Sequence, residues 1–497
     1  MTTSKLKEEK FPAQIYKDTV LADSFEDAKR YFLDAYLEVD FAHAIMLSET
    51  EIISKDDLRK LLGALKAIDF ERVNEKVYDG SFEDLFFFLQ QLITENCGGD
   101  IDVAGKLHTA RSRNDIDVTI YRLRLRKDLL KLIDATMILR AVLLDLASQH
   151  HETLIPEYTH TQPAQPSTLA HFLLAMSENL GRDIKRLRSA FENMNFCPLG
   201  AGAITTTGFP INRFRVAELL GFNAPVRNSY GSIASNDYFT ECLGAMATLL
   251  VNIGKFSQEF LQMASMEFGV IRLPDGYVQG SSIMPQKRNP VAIEHIRALS
   301  SKALGQTLGV FTSIHNTPFG DINDVEDDLQ PLIYSAVRDT NRAVTLFGGA
   351  LSTATFNTEI LNQRANGNFI TVTELADTLV RNEGLAFRVS HKIVGTAVRA
   401  ALAAGSEITH QILQASANEV LGREVKLSET ELEKVLSARN FVAIRKIYGG
   451  PAPEETKKSL AEQRNAEIDD NAWIETTNTR LSDAEKTLET LVDANLA

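Results

Sequence analysis

Apolar side chains return at alternating intervals of four and three along three long stretches of the chain. Leu125, Leu129, Leu132, Thr136, Leu139, Leu143 and Leu146 form the first stripe, and Leu169, Leu173, Met176, Leu180, Ile184 and Leu187 the second. Leu243, Met246, Leu250, Ile253, Phe256 and Phe260 form the third. This spacing keeps each set on one face of an α-helix. Three long helices with few breakers predict a bundle. The stripes themselves report core or subunit contact and no chemistry.

Between the helices lie short segments rich in proline and glycine, at residues 156–166, 197–210, 274–290 and 318–328. Loops at the ends of a rigid bundle are where chemistry can be mounted. Residues 1–107 read as shorter helices and turns ending at Gly98, Gly99 and a linker over 100–105. After about residue 353 the pattern changes again. Thr371 and Glu374 have the spacing of a capping box, and Gly384 can close the helix it would start. Gly449, Gly450, Pro451 and Pro453 precede a charged, helix-forming run to the C-terminus. No internal repeat, low-complexity tract or strand alternation stands out. The expected architecture is all-α, in three mainly helical units: 1–107, a central bundle over 108–353, and 354–497 with its tail.

Composition adds limits rather than chemistry. The 497 residues are 44% apolar and 24% charged, an ordinary balance for a globular chain long enough to form several packed units. A net charge of −14 and a pI of about 5.3 argue against broad attraction to nucleic acid or anionic membranes. An anionic substrate then needs a local cationic pocket. Cys97, Cys197 and Cys242 are far apart and fit neither a disulfide framework nor a metal site, so buried free thiols are expected. The first ten residues lack the apolar core of a signal peptide, and no run of about 18 apolar residues occurs. A cytoplasmic protein is the expectation.

Three segments carry chemistry. Residues 280–290 read Gly280, Ser281, Ser282, Ile283, Met284, Pro285, Gln286, Lys287, Arg288, Asn289, Pro290. Small residues permit a mobile loop with free backbone N–H groups, and Lys287 and Asn289 supply a cation and an amide for an anion. Residues 105–115 contain Ser112, Arg113 and Asn114, which offer hydroxyl, guanidinium and amide donors within one helical turn, suited to gripping a carboxylate bidentately. Residues 158–166 place His160 between Thr159 and Thr161, followed by Gln162.

The first segment resembles the signature loop of the fumarase/aspartase superfamily. The second is similar to the argininosuccinate lyase motif, with Ala110 where that family has glycine, and the third matches its Thr-His-x-Gln-x-Ala-Gln pattern. Residues 40–47, 198–202, 228–229, 373–380 and 449–453 also look like that family. The resemblance implies three mainly helical domains and a homotetramer whose active sites combine segments from different subunits. It implies a carbon–nitrogen lyase releasing fumarate from an N-succinyl compound, with argininosuccinate as the leading case. Ser281 would be the base, and Lys287, Asn289, Thr159 and Asn114 would stabilise the carbanion that forms, with Ser282 and Gln286 as further substrate contacts. His160, supported by Glu294, would handle the leaving group's proton. No metal, flavin or nucleotide is implied.

The departures gather on one side. Where the family has Tyr-Asn-Lys-Asp-Leu-Gln-Glu-Asp-Lys after the loop, an ungapped alignment gives Asp321 for the tyrosine, Glu326 for the glutamine and Leu329 for the final lysine. Asp40 replaces a family serine and Asn236 an arginine. Extra acids disfavour an amine bearing its own carboxylate and favour a cationic tail. Three readings therefore stand: argininosuccinate, a different aminosuccinate with a cationic amine part, or a non-catalytic homologue like the lens crystallins. A shifted alignment in that loop would also account for the departures.

Overall fold

The structure, a computed structural model, describes residues 10–497. The expectation that no signal peptide opens the chain falls on residues outside that range. Helices α1 (Ala22–Glu49), α2 (Lys55–Lys66) and α3 (Leu85–Asn96) precede α4 (Arg113–Gln149). An antiparallel hairpin follows, β1 (Leu154–Thr159) with β2 (Gln162–Thr168). Next come α5 (Leu169–Met194), α6 (Asp237–Met263), α7 (Val291–Ile314) and α8 (Gln330–Ser352). The C-terminal region contains α9 (Val372–Glu383), α10 (Phe387–Ala404), α11 (His410–Leu421), α12 (Glu429–Leu436) and α13 (Pro453–Leu496).

Five helices form the bundle. α4 packs on α5 and α8, α6 on α5 and α7, and α7 on α8. The three stripes are its interior: every member, Thr136 included, is buried. Each fully buried leucine contributes roughly 1.5–3 kcal/mol of transfer free energy, before entropy is subtracted. The fourth and fifth helices carry weaker stripes. Ala303, Ser300 and Thr307 sit among the buried residues of α7, and Asp339 and Thr340 among those of α8. Small and polar side chains fill the bundle there without advertising a helical period.

Three expectations need correction. Residues 154–168, read as an irregular loop, form a hairpin pairing Leu154 with Thr168 at its base and Thr159 with Gln162 at its tip. The capping box at Thr371 does not form. Its helix begins without a side-chain cap, and the Glu374 carboxylate is instead buried against Arg381 and Arg445. The left-handed Gly384 does close the helix. The tail is not part of the C-terminal region's packing. α13 runs back along α4, α5 and α2, whereas α9 to α12 enclose their own apolar cluster around Leu375, Ile393 and Leu413. Arg140 and Arg188 clamp Asp470 on α13, at 2.9 Å and 2.5 Å. No described helix is long and apolar enough to cross a membrane.

Candidate active site

Residues 280–288 project as a loop whose neck is closed by two backbone hydrogen bonds. Gln279 N–H donates to the Asn289 carbonyl at 3.0 Å, and Asn289 N–H to the Gln279 carbonyl at 2.8 Å. Arg288 ties the second leg down, donating to the Leu273 carbonyl at 3.0 Å and pairing with Asp275. Beyond the neck Ser282, Gln286 and Lys287 are exposed, and Ile283 stands 83% exposed at the tip. Ser281 Oγ accepts the backbone N–H groups of Met284 at 3.1 Å and Ile283 at 3.3 Å. Two N–H dipoles aimed at one hydroxyl oxygen favour its deprotonated form.

The second segment is built around the N-terminus of α4. Asp115, three residues after Ser112, accepts the Ser112 N–H at 2.8 Å and the Gly200 and Gly202 N–H groups at 2.8 Å each. Burial nevertheless pushes its pKa up to about 6. Gly200 has φ +86°, and a Cβ there would meet Arg213 Cγ at 2.7 Å, so only glycine lets this loop approach the carboxylate. Asp115 was not singled out as functional, although its spacing from Ser112 is that of a capping box. Ser112 Oγ donates to Asn114 Oδ1. Arg113 turns the other way, to Asp84 at 2.8 Å and Glu83 at 3.2 Å. Arg113 thus pairs with acids of the N-terminal region, while Asn114 bonds both Ser112 and Asp321.

Ala110 has φ +63°, in the left-handed region that suits the family's glycine. This kink lets Arg111 enter the core while Ser112 starts a helix. Ala110→Gly is expected to stabilise the fold by about 1 kcal/mol, less what glycine adds to unfolded-chain entropy. A denaturant titration checks it, and an unchanged or lower midpoint would refute strain at this position.

His160 and Thr161 form the hairpin turn, with φ +51° and +63°. Positive φ at both central residues is what a two-residue turn matching the strand twist requires. Neither residue adopts it readily, and such strain collects at functional sites. The turn holds His160 at the tip with Thr159 beside it on β1. The hairpin, His160 included, forms one wall of a cavity of about 590 Å³ whose other walls come from α5, α6 and the segments around Phe268 and Leu361. Glu294 lies in the first turn of α7. No hydrogen bond or ion pair among the described residues joins His160, Ser281 and Asn114 to one another, or His160 to Glu294.

Asp321 and Glu326 do meet the second segment. Asn114 Nδ2 donates to the Asp321 carboxylate. Burial, then the hydrogen bond to Asp321 and its charge, push Glu326 up to about 9. Asp117 beneath them is pushed up to about 8 by burial, with Arg113 opposing. Leu329, the counterpart of the family's lysine, is only 4% exposed. Asp40 does not join this acidic group, because its carboxylate is buried against Arg111 at 2.5 Å.

Glu326 therefore keeps its proton when folded and loses it near 4.5 when unfolded. The folded state binds more protons between these values, so this group makes stability fall as pH rises from about 4.5 to about 9. Glu326→Gln mimics the protonated form. Its melting temperature should exceed that of the parent increasingly across that window, and a gap independent of pH would refute the assignment.

Residues 75–305 match the family model described as Lyase, and residues 369–443 the one described as Argininosuccinate lyase C-terminal. Argininosuccinate lyase 2 of Agrobacterium fabrum (strain C58) is 42% identical over 459 residues, covering 92% of this chain and 91% of its own. Argininosuccinate lyase of Methanoculleus marisnigri is 38% identical over 461 residues, 92% of each. EDDS lyase in complex with formate superposes with a TM-score of 0.87 at 31% identity, covering 96% of this chain and 95% of its own. Bundle, signature loop and relatives together define a carbon–nitrogen lyase. The chain belongs to the argininosuccinate lyase family, within the fumarase/aspartase superfamily.

Proposed function

We propose that the protein splits argininosuccinate into arginine and fumarate, working as a homotetramer whose sites combine segments of different subunits. The observation that carries this reading is Ser281, held with two N–H donors on a projecting loop typical of the family. Ser281 removes the proton beta to the departing nitrogen. The electron pair delocalises into the neighbouring carboxylate, where Lys287 and Asn289, with Thr159, Ser112 and Asn114, meet the developing charge. The C–N bond then breaks, its electrons leave with nitrogen, and His160, oriented by Glu294, delivers the proton. Gln286 and Ser282 complete the loop's contacts with the succinyl half. The lack of any hydrogen bond or ion pair joining His160, Ser281 and Asn114 among the described residues supports shared sites, as do exposed apolar residues on the bundle, Val251 at 49% and Leu308 at 55%.

A second reading has its own support. Asp321 accepts from Asn114 where the family places arginine contacts, and its carboxylate favours an aminosuccinate with a cationic amine part, with the protonated Glu326 beside it as a neutral hydrogen-bonding group. Fumarate absorbance on argininosuccinate and on a monosuccinylated diamine separates the two. Preference for argininosuccinate supports the first reading, and preference for the diamine adduct the second. Fumarate from neither, and no amine addition in reverse, would leave the non-catalytic reading.

A further inference from the structure

A second charged cleft lies away from these segments, where α1, α4 and α8 meet. We propose that it binds a small polyphosphate, the chemical class with several negative charges on a compact tetrahedral scaffold. Its cavity measures about 310 Å³ and is lined by Arg30, Arg124, Lys131 and Arg338, with Tyr31 and Tyr334 as its apolar wall. Asp128 is the one acid in the lining, so four cations face one carboxylate in a chain whose net charge is −14.

The cations are held in place without exhausting their donors. The Arg124 guanidinium lies 5.4 Å from the Tyr31 ring centroid and 5.5 Å from that of Tyr334, and Arg30 lies 5.2 Å from Tyr31. The two rings are 5.1 Å apart. Contact with a π-face orients a guanidinium while leaving its N–H fork free for an anion. Arg30 makes no ion pair with a carboxylate among the described residues, although Asp27 is near it on the same helix. Lys131 is 3.9 Å from Asp128, whose other oxygen takes Arg124 at 2.8 Å. Arg338 touches Asp339 at 3.4 Å, and that carboxylate is shared with Lys302 and Arg342. Phosphate suits three forks and an ammonium better than one carboxylate does, because each oxygen can take a separate donor. The low-dielectric ring wall strengthens each contact relative to open water.

The three helices that frame the cleft also reach the catalytic segments: α4 begins next to Ser112, α8 follows Glu326, and α1 carries Asp40. An anion bridging them links those segments without touching substrate. Isothermal titration calorimetry of the full-length protein with inorganic pyrophosphate at low salt tests the site. Saturable binding is expected, weakening steeply with added salt. Arg30→Gln with Lys131→Gln should weaken it by at least about tenfold, since each substitution removes a cation able to make a charge-assisted bond to phosphate. Asn341→Glu, which keeps every cation and adds a negative charge at the rim, should weaken it as well; this second variant covers any folding defect in the first. Heat from the parent protein that does not saturate, or affinity unchanged in both variants, would overturn the proposal.

Discussion

Ser281→Ala is expected to lower kcat by between about 10²- and 10⁴-fold, with KM close to that of the parent protein. The split follows from what the hydroxyl does. As the proposed base, its oxygen contributes only as the C–H bond breaks, so its loss should spare ground-state binding of substrate. The structure adds a reason for choosing Ser281 over its neighbour. Ser281 Oγ receives two backbone N–H groups, and among the described residues no such pair converges on Ser282. Ser282→Ala therefore serves as the matched control and should lose far less. The loop's neck is fastened by the Gln279 and Asn289 backbones and by Arg288, none of which the substitution touches, so the assembly should survive. Fumarate release measured by absorbance, with sedimentation as a check on assembly, decides the matter. Near-normal kcat in Ser281→Ala would remove this residue as base.

How much of this was legible in the sequence depends on how residues advertise themselves. Three bundle helices were readable because leucine at helical spacing has no other common use. α7 and α8 were not, because alanine, serine and threonine occupy buried positions along them and a period made of small residues is faint. The hairpin was hidden by its prolines and by a His-Thr turn lacking the usual glycine or asparagine. The Thr371 box failed for an electrostatic reason: Glu374 is more strongly held by two arginines, Arg381 two turns along its own helix and Arg445 far off in sequence, than by a local N–H. The signature loop and the α4 motif were legible as chemistry, since each packs its groups into one short string. The direction of Arg113 and the engagement of Asp40 were not, because both depend on partners tens of residues away.

Asp40 is where that long-range dependence should cost most. Arg111 has a side chain only 1% exposed and Asp40 one 7% exposed, so neither charge can fall back on water. Burial raises the Asp40 pKa, with Arg111 opposing, and burial followed by the charge of Arg111 holds the nearby His43 down at about 3. Asp40→Ala leaves the buried Arg111 guanidinium without its ion-pair partner, and the next acid its charge reaches, Asp115, already accepts three backbone N–H groups. The expected loss is roughly 3–5 kcal/mol, read as a lower denaturant midpoint. Replacing both partners, as in Asp40→Ala with Arg111→Met, should recover most of it, because an apolar pair of similar volume carries no desolvation cost. Activity then separates two roles. Arg111 follows the left-handed Ala110 and directly precedes Ser112, so the ion pair sets where α4 begins. If that placement matters, the double variant regains stability while kcat/KM stays down by about 10²-fold, the scale on which small misplacements of binding groups act. A stable double variant with full kcat/KM would reduce the pair to a structural brace.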